Sequence, residues 1–208
     1  MFLSVEGIDY SGKTTQIARL AERLRTLGRE VLLVREPGGT VISERIRDLL
    51  LDTRHANMDG VTELLLFSAA RSQLVREAII PALERGAWVI ADRFFDSSTA
   101  YQGYGRGIDI ERVLSLHLLA AHALSPDRTI VLDISVDESL ARRALRAGRA
   151  DRMESADAAF FQRVREGYHA LAQRFPERIV LVDGMGDVEE IERRMFDVVQ
   201  AIPARRTP

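Results

Sequence analysis

Short apolar runs alternate along the chain with longer stretches in which apolar residues recur at helical spacing. The runs lie at residues 2–5, 30–34, 88–91, 128–134 and 179–182. Runs of this length, rich in Val, Ile and Leu, predict strands. Between them, Ile17, Leu20, Ala21 and Leu24 predict a first helix that Gly28 closes. Thr40 is placed to cap a second helix, continuing through Ile46, Leu49 and Leu50. Residues 52–60 are polar and predict a loop. A long helix then carries Leu64, Leu65, Phe67, Ser68, Leu74, Val75, Ala78 and Ile79; Pro81 predicts a kink and Gly86 its end. Residues 97–107 mix Ser, Thr, Tyr and Gly and predict a short helix followed by a flexible turn. Helices are also predicted over 110–124, 136–145, 160–175 and 188–202, and a frayed tail over 203–208. Strand and helix alternate throughout. That order predicts a single α/β domain over 1–208, with a five-stranded parallel sheet between two layers of helices.

Between the first strand and the first helix stands Gly7-Ile8-Asp9-Tyr10-Ser11-Gly12-Lys13-Thr14, followed by Thr15. It fits G-x-x-x-x-G-K-[ST] in the strand–loop–helix setting that a phosphate-binding loop requires. The glycines let the backbone aim N–H groups at phosphate oxygens, and the helix adds its positive N-terminal end. Lys13 reaches the outer phosphates of a nucleotide such as ATP, and the Thr14 hydroxyl is a ligand for Mg²⁺. Lys13 is also the only lysine in the sequence; all other basic residues are arginine. Lysine is a compact point charge and arginine a planar fork, so the two are not interchangeable among phosphates.

Composition narrows the remaining classes. The net charge of −2 gives no bulk attraction to nucleic acid. No apolar run approaches the ~20 residues of a membrane span. The absence of cysteine removes disulfides, thiolate metal sites and cysteine nucleophiles, and favours a cytoplasmic location. His55, His117, His122 and His169 fall on no ligand or triad spacing and read as structural or surface residues.

Residues 7–15, Arg35-Glu36-Pro37-Gly38-Gly39, Phe67-Ser68-Ala69-Ala70-Arg71, Ala91-Asp92-Arg93, Ala100-Tyr101-Gln102-Gly103 and Asp151-Arg152-Met153-Glu154, in this order, resemble the bacterial members of the thymidylate kinase family. The first piece is shared by very many nucleotide hydrolases; the conjunction of the others is specific. The resemblance implies a P-loop nucleoside monophosphate kinase fold, transfer of the γ-phosphoryl of ATP to dTMP with Mg²⁺, and a homodimer. It implies that Arg93 holds the acceptor phosphate, that Asp92 supports the metal or its waters, and that Asp9 contacts the sugar 3′-hydroxyl. It implies that thymine stacks on Phe67, that Arg71 hydrogen-bonds the base, that Ser98 and Gln102 line its pocket, and that Tyr101 packs where a 2′-hydroxyl would clash. Glu36 and Arg47 match residues near the acceptor phosphate. The arginine-rich stretch, about 142–154, resembles a mobile lid, from which Arg146, Arg149 and Arg152 would reach the transferring group. Relatives commonly carry Gly or Arg where this chain has Tyr10. Tyrosine supplies no cation there, so the lid arginines should.

Two other classes compete. A nucleoside kinase needs a carboxylate base for a neutral hydroxyl, and Glu36 could be recruited. A guanine-nucleotide switch usually carries Asn-Lys-x-Asp, which a chain whose only lysine is Lys13 does not contain.

Overall fold

The central strand is β1 (Phe2–Glu6), every residue of which is buried. β2 (Val31–Arg35) and β3 (Trp88–Asp92) lie to one side of it, and β4 (Arg128–Asp133) and β5 (Ile179–Asp183) to the other. The sheet order is β2-β3-β1-β4-β5, all parallel. The structure is a computed structural model and describes residues 1–145 and 151–202. The predicted strands and layers are therefore present, with bounds that differ by a residue or so.

Period-two alternation divides the core. Leu3 and Val5 face α1 (Lys13–Thr26) and α9 (Val188–Gln200), where Leu20, Leu24, Met195 and Val199 close over them. Phe2, Val89 and Ala91 face the opposite layer, made partly by α3 (Gly60–Leu74) and α4 (Ile80–Glu84). On the same side α8 (Ala158–Arg174) buries Phe160, Phe161, Val164 and Leu171 against Ile8 and Val131. The caps follow the sequence. Thr40 Oγ1 accepts from the Ser43 amide at 3.2 Å at the start of α2 (Val41–Leu51), and α9 opens on a capping box between Asp187 and Glu190.

Three local expectations change. The kink expected at Pro81 is a π-helical turn, Val75–Ile79, that joins α3 to α4 without a break; proline has no N–H to continue the regular ladder. Residues 97–107 are not a short helix and a flexible turn. α5 (Phe95–Ser98) runs straight into a π-helical segment, Thr99–Gly105, that is almost wholly buried. Its glycines serve close packing: a Cβ on Gly105 would lie 2.7 Å from Phe160, and one on Gly103 2.7 Å from Ile110. α6 (Ile110–Ala120) stops short of 124, because His122 and Ala123 take left-handed backbone (φ 51° and 59°). α7 (Val136–Ala144) leads out of β4. Among the described residues no helix is long and apolar enough to cross a membrane.

In this topology β1 and β3 end side by side, Val5 opposite Asp92. Gly7 and Arg93 follow directly, at the carboxyl edge where open α/β sheets bind ligands.

Candidate active site

The loop from Gly7 to α1 is wrapped around a lysine. Lys13 Nζ donates to the carbonyls of Gly7 (3.2 Å) and Ile8 (2.9 Å) and lies 3.4 Å from Ser11 Oγ. Burial lowers the Lys13 pKa to about 8, with Arg93 acting in the same direction and Asp9, Asp92 and Glu6 opposing. Gly12, in the left-handed region (φ 93°), is the N-cap of α1, and no side-chain oxygen occupies the helix end. The first turn carries no acid, so its N–H groups are open to an anion. Thr14 is exposed, and its hydroxyl donates to Asp92 Oδ2 at 3.3 Å. Thr15 is exposed beside it.

Arg93 joins this loop to the next element. Its backbone is left-handed (φ 71°). The guanidinium donates to the Gly7 carbonyl (2.9 Å), Asp9 Oδ1 (2.5 Å), Ser97 Oγ (3.2 Å) and the Tyr101 hydroxyl (3.1 Å). Beneath it lies a residue that sequence reasoning did not single out. Glu6 is fully buried and accepts from Ser4, from the Phe94 amide (2.7 Å), from Tyr168 (2.9 Å) and from Ser97. Burial raises its pKa and Asp96 adds to that, while Arg93 and the hydroxyl donors pull it down. The available signal was an acid ending an otherwise apolar strand run immediately before Gly7.

A cavity of about 410 Å³ opens here, and its wall includes Lys13, Thr14, Asp92, Arg93, Glu36, Arg47, Phe67, Ser98, Tyr101 and Gln102. Most of the acceptor-site residues expected from the resemblance thus border one space, together with Asp9 and Tyr10. Arg71 stands behind that wall. It is 1% exposed, with Nε 2.8 Å from Glu36 Oε2 and Nη2 3.0 Å from Ser98 Oγ. Burial pushes the Glu36 pKa up to about 7 against the pull of Arg71. Three buried side-chain atoms around the cavity have no hydrogen-bond partner: Asp9 Oδ2, Glu36 Oε1 and Arg71 Nη1. Buried polar atoms are ordinarily satisfied, so three together mark a place for a polar ligand. Arg47 borders the cavity and donates to the Pro37 carbonyl at 2.9 Å.

The arginines expected in the lid divide. Arg146 and Arg149 lie outside the described residues. Arg152 is not directed at the phosphate loop. It is buried, with Nη1 2.5 Å from Glu63 Oε2 and Nε 2.7 Å from the Leu50 carbonyl. The physical reason is Glu63 itself, a fully enclosed carboxylate that requires cationic partners. A different arginine lies against the loop. Arg142 Nη1 is 3.4 Å from the Tyr10 carbonyl and Nη2 3.3 Å from that of Gly184, with Nε on Glu138 at 2.7 Å. Sequence spacing placed Arg142 in the basic run but gave no reason to set it apart. Tyr10 itself adopts left-handed backbone (φ 61°). Of the histidines, His117 is buried, stacked on Phe95 and bonded to Thr99, in keeping with a structural role.

The sequence model of the family described as "Thymidylate kinase" matches residues 5–195. The thymidylate kinase of Pseudomonas fluorescens is 49% identical over 205 residues, covering 99% of this chain and 97% of its own. That of Chlorobaculum parvum is 44% identical over 210 residues, covering 97% and 96%. The crystal structure of thymidylate kinase from Ehrlichia chaffeensis superposes with a TM-score of 0.78 at 36% identity, over 96% of this chain and 98% of that one.

The loop geometry itself is open to test. A Cβ at Gly7 would lie 2.5 Å from the Leu132 carbonyl oxygen and 2.8 Å from Ser11 Oγ, at a φ of 136°. Gly7→Ala is expected to destabilise the fold by at least about 2 kcal/mol, from backbone strain and backbone contact together. Urea unfolding measures it, and an unchanged midpoint would contradict the described turn.

Proposed function

The chain belongs to the thymidylate kinase family, and from that premise we propose how its own residues carry phosphoryl transfer from ATP to dTMP, giving ADP and dTDP. The observation that carries the proposal is a single cavity bordered by the phosphate-loop lysine, by Arg93 and by an aromatic pocket of Phe67 and Tyr101. Donor and acceptor phosphates meet there within reach of both cations.

An acceptor phosphate oxygen is already anionic at neutral pH, so no general base is required. It attacks the γ-phosphorus; the bond to the β–γ bridging oxygen breaks, and ADP leaves with that electron pair. Such transfers depend on positioning and on charge stabilisation. The Lys13 ammonium, together with the backbone N–H groups of residues 7–15 at the α1 N-terminus, binds the β- and γ-phosphates. Arg93, anchored on the Gly7 carbonyl and Asp9, presents the acceptor phosphate to the loop. Asp9 keeps Oδ2 for the sugar 3′-hydroxyl. Phe67 stacks on the base, Ser98 and Gln102 border it, and Tyr101 closes the space beside C2′. Glu36 and Arg47 flank the acceptor phosphate, and Arg71 acts on the base side from behind Glu36 and Ser98. Arg146 and Arg149 are the proposed lid cations. Arg152 is left out of the phosphoryl group's surroundings, because its guanidinium is committed to Glu63.

The donor set fits Mg²⁺. Thr14 Oγ1 and Asp92 Oδ2, hydrogen-bonded to each other at 3.3 Å at the loop, are the oxygens that would hold it. When bound, Mg²⁺ neutralises developing charge on the β- and γ-oxygens.

We also propose a homodimer and a cytoplasmic location. In support of the dimer, α3 and α6, which pack together, leave Val61, Leu65, Leu118 and Leu119 more than half exposed. Large exposed apolar groups on adjoining helices suit an interface.

Three measurements test these readings. ADP release with ATP and Mg²⁺ is expected to favour dTMP strongly over UMP and thymidine. Equal use of UMP would discard the Tyr101 pocket, and turnover of thymidine would instead make Glu36 a base. For ATP, kcat/KM reports groups of the free enzyme. Lys13 loses its charge above about 8 before phosphate arrives. That parameter is therefore expected to fall about tenfold per pH unit above that value, and a flat profile to pH 9.5 would contradict the burial of Lys13. Light scattering is expected to give twice the 23.3 kDa chain mass, with Leu118→Asp shifting the protein towards monomer.

A further inference from the structure

Glu63 lies in the first turn of α3, wholly enclosed, beyond the wall that holds the acceptor. Its Oε2 meets Arg106 Nη2 at 3.2 Å and Arg152 Nη1 at 2.5 Å, and its Oε1 meets Arg106 Nε at 3.2 Å. The remaining donor to Oε1 is Gln102 Nε2, at 3.0 Å. Burial drives the Glu63 pKa up, but hydrogen bonds from Arg106, Gln102 and Arg152 outweigh it and hold the carboxyl below its usual value. An ionised carboxylate offers acceptors only. Gln102 must therefore turn its amide N–H₂ towards Glu63 and its carbonyl oxygen away. Gln102 borders the cavity, and among the described residues its Oε1 takes no hydrogen bond.

The amide can present either an acceptor or a donor to a base, and the choice carries information. Thymine and uracil have an N3–H that needs an acceptor; cytosine has a bare N3 that needs a donor. We propose that Glu63 is a specificity-determining positioning residue: by accepting the Gln102 amide it makes Gln102 present an acceptor, selecting a pyrimidine with an N3–H over cytosine. This rests on the reading of the cavity as a dTMP site. A purely structural Glu63 needs only the two arginines. The bond to Gln102 is what links Glu63 to the base.

The test compares kcat/KM for dTMP and dCMP in the full chain. With Glu63→Gln, the new amide can donate to Gln102 and let it flip, offering its own N–H₂ to cytosine. The ratio of dTMP to dCMP is expected to narrow about tenfold or more, the scale on which one hydrogen bond discriminates. Glu63→Asp keeps the charge for both arginines but withdraws the acceptor by one methylene, so it should narrow the ratio even where Glu63→Gln folds poorly. In a Gln102→Leu background, Glu63→Gln is expected to narrow the ratio no further. An unchanged ratio in both Glu63 variants, whatever happens to Tm, overturns the proposal. So does further narrowing in the Gln102→Leu background, since Glu63 would then act by another route. A wild-type chain that does not phosphorylate dTMP overturns the reading of the site itself, which the variants leave untouched.

Discussion

The geometry of the carboxyl edge of the sheet depends on one guanidinium. Arg93 sits where β3 ends and is tied through its backbone N–H to the Val5 carbonyl, at 3.1 Å, so the end of β3 is registered on the end of β1. Its side chain then reaches back to Gly7 and Asp9 in the phosphate loop and forward to Ser97 and Tyr101 in the helical segment that follows. Left-handed backbone at a non-glycine residue costs on the order of 1 kcal/mol, and it persists only where the surroundings over-determine it. Here they do. Phe94 and Ser97, which follow the kink, are both held by Glu6 from below. The loop, the strand end and the aromatic pocket therefore share one reference point.

The same device recurs away from the loop. Glu36, Glu63 and Asp96 are all buried carboxylates, and each is matched by arginine: Arg71, Arg106 with Arg152, and Arg178. Buried ion pairs suit arginine better than lysine, since a planar fork makes two directed bonds and gives up hydration more readily. These four arginines hold buried carboxylates in place. Such pairs add little net stability, because desolvation offsets attraction, but breaking one leaves a costly unpaired charge. Their effect is to hold side chains in fixed orientations.

This division explains what could be read from the sequence. The strands, the helix caps and the phosphate loop are encoded by neighbours: alternation, a Thr before a helix, two glycines and a lysine at fixed spacing. Most of the residues proposed for the acceptor pocket are legible through a resemblance over six short pieces rather than from spacing. Glu6, Glu63 and the place of Arg152 were not found, because their meaning lies in partners far along the chain. Glu63 meets Arg152 across 89 positions and Glu6 meets Tyr168 across 162. The flexible turn expected near Gly103 and Gly105 failed for a related reason. Glycine signals freedom only when nothing packs against it, and here Phe160 and Ile110 do.

The solitary lysine brings these strands together. Arg71, Arg93 and Arg152 each work by spanning two or more acceptors. Lys13 instead sits inside a ring of loop oxygens from Gly7, Ile8 and Ser11, where a guanidinium's planar width would force the loop open. That enclosure lowers its affinity for a proton to a pKa of about 8. In the proposed role of Lys13, a polyphosphate entering the loop supplies the negative charge that the enclosure lacks, so the ammonium is stabilised by the ligand that it binds. Affinity for the donor and protonation of Lys13 are then one linked equilibrium, and a permanently charged arginine at this position would uncouple them.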